Sequence, residues 1–227
     1  MVAQVPRYVI ETNLPDKAAT QFMFSQAVRV CRELGIKEVS LLVGDKGQFR
    51  TTEVGLLLGS DGAGALCFGR RIPLQDGILL ALQSLHRFDQ FATYGLLIGV
   101  YLSTDGLDKL DSASRAQAIM FFPWTEKEGK AWLSTWDATV LGQREWCAEP
   151  LQLDPGVEGA LAEFADEINL SKGLCRPADR QLARGTFADL KKRGLRYDPE
   201  HVRWWALRNG FQPRDANHLK EMAQKSL

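Results

Sequence analysis

A chain of 227 residues, 45% hydrophobic and 25% charged, has the composition of an ordinary globular protein, with room for one good core and a smaller second one. These values exclude extensive disorder, collagen-like sequence and a supercharged tail. The formal charge is zero, yet residues 1–169 hold 15 Lys and Arg against 22 Asp and Glu, a balance of −7, while residues 170–227 hold 13 against 6, a balance of +7; such an asymmetry suits a segment that meets an anion.

The first seven residues lack the charged and then apolar order of a secretory signal, so the cytoplasm is the expected compartment. Residues 8–10 are a short apolar run, followed by Glu11, Thr12 and Asn13 and then Pro15, which reads as a strand passing into a helix. Ala19, Met23, Ala27, Val30 and Leu34 recur at helical spacing and Gly35 supplies the stop, before a second strand at residues 39–43 bounded by Gly44 and Asp45. A β-α-β unit with parallel strands follows from this order. Residues 54–58 read as a third strand, and Leu74, Ile78, Leu82 and Leu85 as the apolar face of a helix that also carries His86. Residues 94–102 are the most apolar strand, expected at the centre of the sheet, and too short to span a bilayer. A short helix at 112–117, a strand at 118–122, a helix at 126–136 and a strand at 138–141 complete six strands alternating with helices, the pattern of a doubly wound, mostly parallel α/β sheet.

Beyond Pro150 the spacing becomes helical, with Val157, Leu161, Phe164 and Ile168 on one face. Asp198 and Pro199 open a helix that Asn209 and Gly210 close, and Pro213 starts the last one. The expected organisation is a Rossmann-like α/β domain at residues 1–145 and a basic, all-helical subdomain at 150–227 packed on it.

In open α/β sheets ligands sit beyond the carboxyl ends of the strands. The polar residues expected there are Glu11, Asn13, Asp45, Thr104, Asp105 and Trp124, with Glu11 and Asp105 able to act as paired carboxylates of an enzyme if their strands are neighbours. The alternative is that such residues cap helices and shape turns. The Gly-rich stretch 59–69 precedes Arg70 and Arg71, whose guanidinium groups suit a phosphate; its glycines are not in dinucleotide-binding order, and a β-hairpin turning at Asp61 and Gly62 is the preferred reading. The series Asp105, Asp108, Asp111 lacks the remaining features of a calcium loop. Cys31, Cys67, Cys147 and Cys175 form no CxxC unit and read as free thiols, so no metal or cofactor is assigned. Trp124, Trp132 and Trp136, within thirteen residues, mark either core or a protein-partner surface.

The last two helices have the length of a helix-turn-helix, with Arg214, Asn217 and Lys225 expected to face outward if Ala216, Leu219 and Ala223 face the core. Nucleic-acid binding through them is an alternative, against which stands the glutamate at position 221 in the same row. The primary expectation is a binding or regulatory module with an anionic small-molecule site at the strand ends near Asn13, Thr104, Arg70 and Arg71, and no membrane partner.

Overall fold

The computed structural model describes residues 5–142, 146–170 and 173–227. Residues 1–4 and the expected end of the sheet domain at residue 145 lie outside them. The chain divides into two compact units, Met1–Leu133 with Asp137–Ala148, and Ser134–Trp136 with Glu149–Leu227. No described helix is long and apolar enough to cross a membrane.

The first unit is a mostly parallel, doubly wound α/β sheet. Its elements in chain order are β1 (Arg7–Ile10), α1 (Lys17–Leu34), β2 (Glu38–Val43), α2 (Lys46–Phe49), α3 (Glu53–Cys67), β3 (Ile72–Pro73), β4 (Leu79–Ser84), β5 (Tyr94–Val100), α4 (Thr104–Asp111), β6 (Ala116–Phe122), α5 (Glu126–Trp136) and β7 (Thr139–Leu141). The strand order is β3-β4-β2-β5-β6-β1-β7, with β3 antiparallel to β4 and the other pairings parallel. The apolar β5 takes the middle place, where both of its faces are covered, and a run without polar alternation is what that position requires.

Helix α1 begins where the Asp16 carboxylate accepts the Ala19 N–H and ends where Gly35 enters the left-handed region at φ 70°. Its apolar stripe, with that of α3, covers Leu96, Ile98, Met120 and Phe122 on one face of the sheet. On the other face Leu110 of α4 lies so close to Gly99 that a Cβ there would stand 2.6 Å from Leu110 Cδ2. Trp132 of α5 meets Phe121 with ring centroids 5.6 Å apart on this same side.

Three local expectations need correction. Residues 54–58 are the start of α3 and not a strand, and the preferred hairpin at 59–69 is the rest of that helix. Thr52 caps it by accepting the Gly55 N–H, and Val54, Ala63 and Leu66 are buried, so tertiary burial outweighs the poor helix propensity of its glycines. Gly59, at φ 71° and ψ 168°, lets the helix break its direction in the middle. The stretch holding Leu74, Ile78 and Leu82 is β3, a turn through Asp76 and Gly77, and β4, with His86 in the short 3-10 turn behind it. Its helix-like spacing is a coincidence of a strand buried on both faces, where period-two alternation disappears. The short helix expected at 112–117 is instead α4, which starts eight residues earlier.

The second unit is helical: α6 (Pro155–Glu167), α7 (Pro177–Lys192), α8 (Pro199–Arg208) and α9 (Pro213–Ser226). All four start with proline, whose missing N–H costs nothing in a first turn. The last carbonyls of α5 belong to this unit, where Arg208 Nε donates to Thr135 O at 2.8 Å and Nη2 to Ser134 O at 2.5 Å. The Trp204 ring meets His201 at a tilt, with centroids 4.6 Å apart, and Trp205 packs against Phe211.

Candidate functional site

At the carboxyl edge of the sheet the chain leaves neighbouring strands toward opposite faces twice. After β2 it turns toward α3 and after β5 toward α4; after β1 it turns toward α1 and after β6 toward α5. Each reversal opens a crevice between the diverging loops. Asp45 and Thr104 with Asp105 flank the first, and Trp124 with Glu11 and Asn13 flank the second. The topology therefore gathers six of the sequence-derived candidates along one edge.

Much of this polarity serves the backbone. Asp45 Oδ1 accepts the Gly47 N–H at 2.9 Å, Thr12 Oγ1 donates to Leu14 O, and Thr125 and Glu128 form a reciprocal capping box that also takes the Trp124 N–H. Ser103, before α4, makes no such side-chain cap, and Asn13, Thr104 and Asp105 are exposed. The Glu11 carboxylate is set against Gly142, where a Cβ would come within 2.0 Å of Oε2. Direct pairing of Glu11 with Asp105 needs neighbouring strands, and that condition is not met, because β6 lies between β5 and β1.

Arg70 and Arg71 do not complete the edge. Arg71 Nη2 pairs at 3.1 Å with Glu38, the first residue of β2 and hence at the amino edge, and Arg70 is exposed in the short link between α3 and β3. The expected anion cradle of Asn13, Thr104, Arg70 and Arg71 is thus not assembled. Its cations depended on residues 59–69 being a loop after a strand at 54–58, and helix α3 takes the place of both.

Between the two crevices stands Tyr101, a residue the sequence reading passed over. It follows β5 directly and holds a left-handed backbone, φ 51°, which a side chain with a Cβ adopts only under constraint. Its ring meets Phe122 at 5.1 Å and Trp124 edge-on at 5.2 Å. Its hydroxyl is buried beside Thr20, whose own proton goes to Asp16 O. Burial pushes the phenol far above its ordinary pKa; the Thr20 hydroxyl opposes this, and the negative charges of Glu53 and Asp16 add to it. Trp124 is 52% exposed over this group, while Trp132 and Trp136 are buried, so of the three clustered tryptophans Trp124 presents surface. A signal for Tyr101 did exist: an aromatic residue ending the most apolar strand, at the point where a parallel sheet offers its ligand crevice.

At the amino edge, Arg7 and Asp111 make a structural pair. Burial lowers the Arg7 guanidinium to about 10 and the Asp111 carboxylate resists this, while Trp132 Nε1 donates to Asp111 Oδ1 at 2.9 Å. Asp111 is buried. Among the described residues no group of three His, Cys, Asp or Glu side chains is placed to hold a metal ion.

In the helical unit, Ala216, Leu219 and Ala223 are buried as the spacing predicts. Arg214 and Lys225 are exposed, but Asn217 is not available as a base reader, because its Oδ1 accepts from Arg203 Nε at 2.7 Å. Arg203 and Lys220 both pair with Glu200. A groove of about 210 Å³ between α7 and α9 is lined by Arg180, Arg184, His218, Glu221, Met222 and Lys225.

A family model described as a domain of unknown function, DUF1889, matches residues 153–226, which is α6 to α9 and about a third of the chain. No curated protein and no solved structure matches.

Proposed function

We propose that the chain is a cytoplasmic binding module that receives a small ligand at the carboxyl edge of its sheet, over the aromatic pair Tyr101 and Trp124. The carrying observation is that pair: a strained tyrosine at the end of the central strand, with a half-exposed tryptophan standing on its ring. Strain of this kind persists where surrounding structure holds it, and it concentrates at ligand sites. Exposed aromatic surface beside two strand-end crevices gives a flat ligand something to stack on, and the hydroxyls of Ser103 and Thr104 offer hydrogen bonds. Glu11, Asp16, Asp45, Glu53 and Asp105 outnumber Lys17, Lys46 and Arg50 along this edge, a balance that favours a neutral or cationic ligand over an anion. The intracellular assignment rests on the four cysteines, none of which is in a disulfide.

The test uses protein labelled with 5-fluorotryptophan and screened by ¹⁹F NMR against nucleosides, aromatic amines and sugar phosphates. The six tryptophans give one resonance each, and Trp124→Phe assigns the relevant one. Neutral or cationic rings shift the Trp124 resonance saturably, and Trp124→Ala weakens their binding about tenfold, the loss expected for a stacking platform. A screen in which the Trp124 resonance never moves, or in which hits bind Trp124→Ala equally well, overturns the reading.

A further inference from the structure

The groove between α7 and α9 belongs to a different unit from the strand-end site and stands independently of it. The two helices run in the same sense: near their starts the Leu174 N–H donates to Asp215 Oδ1, and at their ends Lys191 Nζ donates to Leu227 O. Arg180 and Arg184 are one turn apart on α7, and His218, Glu221 and Lys225 lie on one face of α9 at spacings of three and four. Five basic side chains elsewhere in the unit are occupied: Arg193 with Asp189, Arg203 with Glu200 and Asn217, Arg208 with the carbonyls of α5, Lys220 with Glu200, and Lys191 with Leu227. Arg176, Lys192, Arg196 and Arg214 take part in no such contact either, and what sets Arg180, Arg184 and Lys225 apart is that they make no ion pair or hydrogen bond among the described residues and converge on one cavity. Three like charges gathered around a concave space repel one another, and an anion in that space relieves the repulsion.

We infer that this groove binds a small phosphorylated polyol, with Arg180, Arg184 and Lys225 on the phosphate and Glu221 accepting from a ligand hydroxyl. Planar guanidinium groups bind phosphate oxygens in pairs, and an ammonium adds a point charge. The size limits the ligand, since about 210 Å³ is below the roughly 300–1,000 Å³ of sites for larger small molecules. Glu221 excludes a bare polyanion by repulsion but rewards a ligand that places a hydroxyl beside its phosphate. Met222 supplies an apolar contact for the carbon skeleton.

Isothermal titration of the full chain with ribose 5-phosphate, glucose 6-phosphate and glycerol 3-phosphate tests the assignment, with ribose, inorganic phosphate and a twenty-nucleotide single strand as comparisons. At least one phosphate ester binds saturably where ribose does not. The Arg180→Ala/Arg184→Ala variant, altered at two exposed positions and checked for unchanged circular dichroism, weakens that binding at least about tenfold. Glu221→Gln weakens the ester but leaves inorganic phosphate unchanged or tighter. Absence of binding by all three esters overturns the inference, as does binding indifferent to the double variant. An oligonucleotide that binds more tightly than every ester, and tighter still to Glu221→Gln, also overturns it and assigns the groove to a nucleic-acid backbone.

Discussion

Tyr101 concentrates several physical effects in one residue. Its backbone is strained, its ring is held between Phe122 and Trp124, and its hydroxyl is withdrawn from water. A phenol whose pKa is raised by folding binds its proton more tightly in the native state, so the contribution is fully present below about pH 10, its unfolded value, and is lost as pH climbs above it. Urea midpoints measured from pH 8 to 11 therefore fall at the alkaline end, and they fall less in Tyr101→Phe. Tyr94 and Tyr197 are raised as well, and burial brings Cys31 to about 11, so the variant reduces the decline without abolishing it. Parallel declines in the two proteins would show that the Tyr101 hydroxyl is not the buried acid described. At the other edge, Asp111 combines a bond from Trp132 with the charge of Arg7, and none of the three side chains has a local sequence signature.

Among the elements, α3 departs furthest from its local sequence. It has four glycines within fifteen residues, and each answers to its own surroundings. A Cβ at Gly55 would lie 2.1 Å from Phe49 O, so the start of α3 needs glycine for close approach to α2. Gly59 needs it for a backbone conformation closed to other residues. Gly64 needs it for neither reason: it is helical, and a Cβ there meets Arg50 Nη2 at 3.7 Å, an ordinary contact. The expected contrast is that Gly59→Ala costs about 1–3 kcal/mol while Gly64→Ala is neutral or stabilises by about 0.5–1 kcal/mol. Denaturant unfolding of both variants measures it, and equal effects would mean that the break at Gly59 is not a constraint of the fold.

At the scale of the whole molecule the charge is zero but divided, −7 before residue 170 and +7 from there on. Retention on an exchanger follows local patches and not the sum, because screening limits each charge to about 8–10 Å at moderate salt. At pH 7, near its isoelectric point of about 6.8, the chain is expected to bind a sulfonate column at low salt, and Arg180→Ala/Arg184→Ala to elute at lower salt than the parent. Flow-through of the parent chain would show that the basic face is neutralised within the molecule. The same scale decides what the strand-end residues can do together. The sheet order separates Glu11 from Asp105 by one strand, yet places both on one edge with Asp45 and Trp124.

By itself the sequence determined the α/β class, β1, β2, β5, β6 and β7, and the helical second half with α6, α8 and α9, because caps, breakers and apolar runs act over a few neighbouring residues. It also determined which polar residues end the strands, and so most of one edge. Only the tertiary structure decided that residues 54–67 are helical and 79–84 extended, because burial on a sheet outweighs propensity and erases the periodicity that separates the two states. It likewise decided that Arg71 pairs with Glu38 and that Arg180 and Arg184 share a groove with Lys225. Those relations join residues distant along the chain, and no local pattern encodes the distance between them.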